Sequence, residues 1–212
     1  MDIPVLNKFD VASVCGNKMF MTLLLKKNNI PTPKTYFSFS SDSASENLEK
    51  VGYPLVIKPV IGSWGRGVMQ IQNKDTMDAI IEVREITDSP HDRIYYLQEM
   101  INRPPRDIRV ITVGDEPIAA MYRKSSGGFK TNIALGADPE ICEMTKEMED
   151  LASKASKAMG GGILGIDIME DEKRGLVVHE VNNTVEFKGL ARVAKRNIPK
   201  EMVEFALNYV RK

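Results

Sequence analysis

Residues 160–184 read "GGGILGIDIMEDEKRGLVVHEVNNT", two near-continuous apolar runs on either side of a charged tip. Runs of this length and composition, broken by "DEKR", predict a β-hairpin whose strands "ILGIDIME" and "GLVVHEVN" lie inside a sheet. No other segment constrains the fold as strongly, because each strand carries a carboxylate that burial takes with it. A buried charge needs a partner. Strand alternation puts Glu180, Asn182 and Thr184 on one face and Val177, His179 and Val181 on the other, with Asp167 sharing the face of Gly165 and Met169. If Asp167 pairs near Glu180, two carboxylates and an amide oxygen meet at one spot. An all-oxygen donor set without His or Cys suits Mg²⁺, which keeps positions open for water and phosphate oxygens. The plainer reading, two solvated strand carboxylates, conflicts with their apolar neighbours.

A second buried strand, "PLVIKPV", ends in Lys58 just before the glycine-rich "GSWGRG" of residues 62–67. Taken alone, Lys58 snorkels to the surface; beside Gly62, Gly65 and Gly67 it is also a natural phosphate contact, since glycines let backbone N–H groups approach an anion. The segment is neither a Walker loop nor a dinucleotide fingerprint, because it lacks GK[ST] and does not open a helix. Lys18 stands near the start of the helix "NKMFMTLLLKKN", where a lysine by itself is ordinary surface. In "LQEMINRPPRDIRV" a strand ends at a turn and Asp107 follows among arginines. Such a backbone can pair with an adenine edge and such an Asp can accept a ribose hydroxyl, although the segment alone does not call for either.

The remaining elements form an α+β chain. Pro31 and Pro33 stop the first helix; "TYFSF" is a strand, and "SASENLEKVG" a helix closed by Gly52. "GVMQIQ" pairs with the Lys58 strand across the glycine loop, and "DTMDAIIEVREIT" is a helix capped by Asp75. A second series opens with the strand at 94–101 and continues with "RDIRVITVG" and "EPIAAMYRKS" around a turn at 114–117. A polar loop, "SSGGFKTNIALGAD", leads to an amphipathic helix over 140–159 that ends at Gly160, and Pro199 sits in the first turn of a terminal helix. The predicted division is two lobes, residues 1–97 and 98–212. Lys plus Arg and Asp plus Glu are both 29, so nothing in the charge balance calls for nucleic acid. No apolar run reaches membrane-helix length and no signal peptide is visible, which with two widely spaced cysteines, Cys15 and Cys142, reads as free thiols in a reducing cytoplasm. His91 and His179 read as structural, and no Ser–His–Asp order points to a hydrolase.

Taken in order, a lysine, a lysine before a glycine loop, "QEMI", "RDIRV" and then D…E-x-N, the chain resembles the ATP-grasp superfamily. "KPVIGSWGRG", "AAMYRKS", "GGGILGID" and "HEVNNTVEFKG" resemble most its LysX/ArgX group, amino-acid ligases of lysine and arginine biosynthesis that act on the carrier protein LysW and are similar to the RimK glutamate ligases. The resemblance implies two α/β lobes with mixed or antiparallel sheets and ATP bound between them. Lys18 and Lys58 would hold the phosphates, and the loop of Gly62, Ser63, Trp64, Gly65, Arg66 and Gly67 would close over them. Gln98, Glu99, Met100 and Ile101 would line the adenine, Asp107 would meet the ribose, and Lys130, Thr131 and Asn132 would lie near the nucleotide. Arg123 would face the reacting groups, and Asp167, Glu180 and Asn182 would hold two Mg²⁺ ions. "NTVEFK", with Asn183, Thr184 and Glu186 beside Asn182, would shape the amino-acid pocket.

The implied reaction is ATP-dependent amide formation between 2-aminoadipate or glutamate and the terminal glutamate of an acidic LysW-type carrier, by a cytoplasmic homo-oligomer. Members of this group carry a further N-terminal domain, and Met1 stands here where the linker would be, so one wall of the usual active-site region is expected to be missing. Two other readings stay open: a RimK-like ligase adding glutamate to a different protein, and a non-catalytic ATP-binding subunit.

Overall fold

The computed structural model describes residues 3–87, 89–125 and 138–211. Two antiparallel sheets face each other across a cleft. The first has the order β1-β4-β2-β3, built from β1 (Thr35–Ser38), β2 (Leu55–Lys58), β3 (Met69–Ile71) and β4 (Tyr95–Glu99). Helices α3 (Ser41–Val51) and α4 (Lys74–Glu85) cover its outer face, burying Ala44, Leu48 and Met77 against Leu55, Ile57, Ile71, Tyr95 and Leu97. Both helices start on side-chain caps: Ser40 accepts from the Ser43 N–H, and Asn73 from the Thr76 N–H. The cap of α4 is therefore Asn73 and not Asp75, which lies within the first turn.

The second sheet has the order β7-β6-β5-β8-β9. Its strands are β5 (Arg106–Val113), β6 (Glu116–Lys124), β7 (Asp138–Ile141), β8 (Ile163–Asp171) and β9 (Gly175–Asn182). Helix α5 (Lys146–Met159), capped by Thr145 and closed by left-handed Gly160, packs on one face together with α1 (Phe9–Cys15) and α2 (Lys18–Lys27). Val110, Ile166, Ile168, Val178 and Val181 meet Val11, Met21, Leu25, Ala152 and Ala155 in this core. On the other face, α6 (Lys188–Ala191) and α7 (Ile198–Val210) place Leu190 and Ile198 against Ile111, Ile118 and Met121.

Three sequence expectations change. The strand at 94–101 does not open the second series: β4 lies in the first sheet between β1 and β2, so a boundary at residue 97 cuts through it. The first helices, although N-terminal, belong to the core of the second sheet, and α1 was not anticipated at all. The expected helix over 140–159 begins only at Lys146, because residues 138–141 form the edge strand β7, paired with β6. Among the described residues no helix is long and apolar enough to cross a membrane.

Candidate active site

The inner faces of the two sheets and the start of α2 enclose a cleft lined by most of the residues singled out above. The hairpin pairs as expected, Asp167 opposite Glu180 and Gly165 opposite Asn182. Asp167 is buried and holds two guanidinium groups. Arg109 donates to both its oxygens, through Nε to Oδ1 and through Nη2 to Oδ2 at 2.9 Å, and Arg123 Nη2 lies 3.0 Å from Oδ1. Arg123 also donates to both oxygens of Asp107, at 2.7 Å each. The register accounts for this: Asp107 lies opposite Arg123 and Arg109 opposite Asp167. Two carboxylates and two guanidiniums thus form one connected network on the cleft face. Burial by itself would raise the Asp167 pKa, and Arg109 and Arg123 more than offset it, holding the carboxyl below its usual range. For Arg123, burial acts to lower the pKa while Asp167 and Asp107 raise it, with a net upward shift.

Lys18 and Lys58 converge from different elements. Lys18, the first residue of α2, donates to the Gly62 carbonyl at 2.7 Å and stands 3.1 Å from Glu180 Oε1. Lys58 ends β2; its ammonium donates to Gln98 Oε1 at 2.6 Å and contacts His179 Nε2 at 2.5 Å. Burial drives its pKa down to about 7; Glu180 and Asp167 oppose that shift, while Lys18 and Arg103 add to it. Gln98 is clamped in turn, its amide nitrogen 3.0 Å from both Thr35 Oγ1 and Tyr96 Oη.

The glycine loop folds back over Pro59. Gly62, Gly65 and Gly67 have φ of 154°, 67° and 68°, and a side chain at Gly62 would press on the Pro59 ring. Ser63, Trp64, Gly65 and Arg66 line the cleft with Gly62, whereas Gly67 does not. Gln98, Glu99, Met100 and Ile101 line it at the end of β4, as expected. Asp107 also lines it, and each of its oxygens accepts one hydrogen bond from Arg123.

The expected amino-acid pocket residues separate. Asn182 lines the cleft and directs its amide nitrogen to Asp167 at 3.2 Å. The Asn183 carbonyl is taken by Asn7, while Thr184 and Glu186 are exposed past the end of β9, with Glu186 accepting from the Lys188 N–H. None of the three lines the cleft. Lys130, Thr131 and Asn132 lie outside the described residues.

His179 corrects the alternation. The register passes from Asp167–Glu180 to Ile168–Val178, so one residue of β9 is extra. Val178 and Val181 turn to the helix-covered face, and His179 joins Glu180 at the cleft instead of facing away. Arg109 was also missed as a site residue, although its place two positions after Asp107 put it on the same strand face. The bulge left no comparable mark in the sequence.

The oxygen donors fit a hard cation. Asp167, Glu180 and Asn182 sit on neighbouring register positions, and Asn182 turns its nitrogen to Asp167, which frees its amide oxygen. A divalent ion here would replace the Lys18 charge as the partner of Glu180. The arrangement offers two cations for an anionic ligand, oxygen donors for a metal, and backbone at a strand end for a planar base.

Comparison with known proteins agrees with this inventory. Residues 15–206 match the profile of the RimK-like ATP-grasp domain. Over 209 residues the chain is 43% identical to the alpha-aminoadipate–LysW ligase LysX of Saccharolobus solfataricus, covering 99% of this chain and 76% of that protein. It is 35% identical over 207 residues to the glutamate–LysW ligase ArgX of Sulfolobus acidocaldarius, covering 97% and 73%. The crystal structure of a RimK domain ATP-grasp protein from Sphaerobacter thermophilus superposes with a TM-score of 0.74 at 20% identity, over 99% of this chain and 72% of that one. With a family profile spanning most of its length, two antiparallel sheets facing across the cleft and lysines and oxygen donors lining it, the chain belongs to the RimK-like ATP-grasp family.

Proposed function

We propose that this protein is an ATP-dependent carboxylate–amine ligase that joins the α-amino group of 2-aminoadipate or glutamate to the terminal glutamate of a LysW-type carrier. The observation that carries the reading is the convergence of Lys18 and Lys58 on the cleft edge that bears Asp167, Glu180 and Asn182, in a chain 43% identical to a LysX ligase. The carrier carboxylate attacks the γ-phosphorus of ATP, the bond to the β-bridging oxygen breaks, and an acyl phosphate and ADP result. The amine then attacks the acyl carbon, loses a proton and expels inorganic phosphate, leaving the amide.

Phosphoryl transfer asks a protein for positioning and charge neutralisation more than for covalent chemistry. Lys58 and Lys18 supply positive charge on the phosphate side. The network that locks Arg123 between Asp107 and Asp167 aims one rigid guanidinium at the reacting groups. Residues 62–66 line the phosphate side as a lid that excludes water, which would otherwise hydrolyse the acyl phosphate. Mg²⁺ held by Asp167, Glu180 and Asn182 would neutralise charge on the phosphate oxygens. Its partners in the reaction are the carrier and a small amino acid, and the cytoplasm is the expected setting.

The test is release of ADP and phosphate with ATP, Mg²⁺ and a LysW-type carrier, with 2-aminoadipate and glutamate supplied separately. Turnover with at least one amino acid is expected. ATP binding without turnover on either would overturn the ligase reading in favour of a nucleotide-binding subunit.

A further inference from the structure

The Lys58–His179 contact joins the two sheets at the centre of the cleft and is not explained by packing. His179 is half-buried at the cleft, and its Nδ1 atom is buried with no hydrogen-bond partner among the described residues. An apolar side chain of similar size would fill the position without leaving a polar atom orphaned. Among the described residues, the one polar contact the imidazole makes is with the Lys58 ammonium, at 2.5 Å from Nε2. In its ammonium form Lys58 has no acceptor capacity, so it donates and Nε2 accepts, with the ring proton on Nδ1.

Lys58 has two holders of different origin. Gln98 grips it from its own sheet and is fixed by Thr35 and Tyr96, while Tyr96 Oη lies 2.9 Å from Thr22 Oγ1 on α2. His179 grips it from the opposite sheet. The residue after His179 is Glu180, the carboxylate paired with Lys18 and one of the oxygen donors for the cation. Two adjacent residues of β9 thus set the distance between a phosphate-binding ammonium and a cation-binding carboxylate. They share the cleft face only because of the bulge between Asp167 and Ile168; regular alternation would turn His179 into the helix-packed core.

We infer that His179 is a positioning residue: its imidazole accepts a hydrogen bond from Lys58 across the cleft and holds the ammonium where the phosphates of a bound nucleotide meet it. The inference rests on the nucleotide-site reading above, and the role is one of aim, not of chemistry on the substrate. It separates phosphate recognition from base recognition, since Lys58 is the group being aimed.

The experiment measures binding of ATP with Mg²⁺, and of adenosine as a competitor, to the unmodified protein and to His179→Leu, His179→Gln and Lys58→Met, with melting curves to confirm folding. Loss of one hydrogen bond to a charged group predicts that His179→Leu weakens ATP binding by about tenfold or more, with adenosine changed less than about twofold. Glutamine carries a neutral acceptor near the Nε2 position, so His179→Gln is expected to recover most of the ATP affinity. Added to Lys58→Met, the leucine substitution should cost nothing further. An unchanged ATP affinity in a folded His179→Leu protein overturns the inference. So does an equal loss for adenosine, which would make His179 a base contact, or a glutamine variant no better than leucine. If Lys58→Met itself leaves ATP binding intact, the nucleotide-site reading fails and takes this one with it; if Lys58→Met weakens ATP binding and His179→Leu does not, only the role of His179 falls.

Discussion

Replacing Asp167 with asparagine separates two jobs that one carboxylate holds. The substitution keeps shape and volume, so no cavity forms, but it removes one of two negative charges from a network of two carboxylates and two guanidiniums. Arg109 then loses its charged partner and Arg123 keeps only Asp107. All four groups are buried. Breaking a buried ion pair from one side costs about 3–5 kcal/mol, because the remaining charge stays desolvated and unpaired. In a chain of this length each kcal/mol moves Tm by about 2–4 °C, so the expected fall is about 6–20 °C. Scanning calorimetry without nucleotide or Mg²⁺ is the assay, since no metal effect contributes there. Adding Arg109→Met removes the surplus cation and should restore part of the loss. If Asp167→Asn melts within about 2 °C of the unmodified protein, the network does not hold the sheet together and Asp167 matters only to ligands.

Lys58 gives a pH prediction. Its folded pKa of about 7 lies below the ordinary lysine value, so between the two the folded protein binds fewer protons than the unfolded one. The buried ammonium costs stability in full below about pH 7, and the cost fades as pH rises through that window. A bound polyphosphate favours the ammonium, so ATP binding near pH 8 should take up protons, roughly one per site at most, and Lys58→Met should abolish the uptake. Calorimetry in two buffers of different ionisation enthalpy reads it directly, and an identical heat in both refutes a neutral Lys58. Gly162→Ala should lower stability by about 1–3 kcal/mol from backbone strain alone. Its φ is 110°, and a methyl there would overlap Asn7 Oδ1, which accepts from the Ile163 N–H at 2.7 Å. An unchanged melting temperature would show that the Asn7 clasp is dispensable. Lys18→Met should weaken ATP binding while leaving Glu180 without its ion-pair partner, so added Mg²⁺ should stabilise this variant more than the unmodified protein; equal stabilisation in a thermal shift assay counts against a cation at Glu180.

The parts of this protein that could be read from sequence are those set by local periodicity and by incompatible chemistry. Apolar runs interrupted by Asp167, Glu180 and Lys58 announced buried strands with charged residues to be satisfied, and the hairpin register placed Asp167 opposite Glu180 as alternation required. Gly52 marks the end of α3 as expected, because capping is a matter of a few adjacent residues, whereas the helix begins at Ser41 on its Ser40 cap, earlier than its sequence suggested. What alternation does not encode is an interruption of alternation: the bulge that swings His179 into the cleft comes from how β8 and β9 accommodate each other. Partner choice was equally out of reach. Arg123 on β6 meets both oxygens of Asp107, and α1 and α2 pack with α5 on the same face of the second sheet. The sequence by itself determined which residues had to be buried with their charges. The tertiary structure decided which of those charges meet, because pairing across a sheet or a cleft depends on register and packing between segments far apart in the chain.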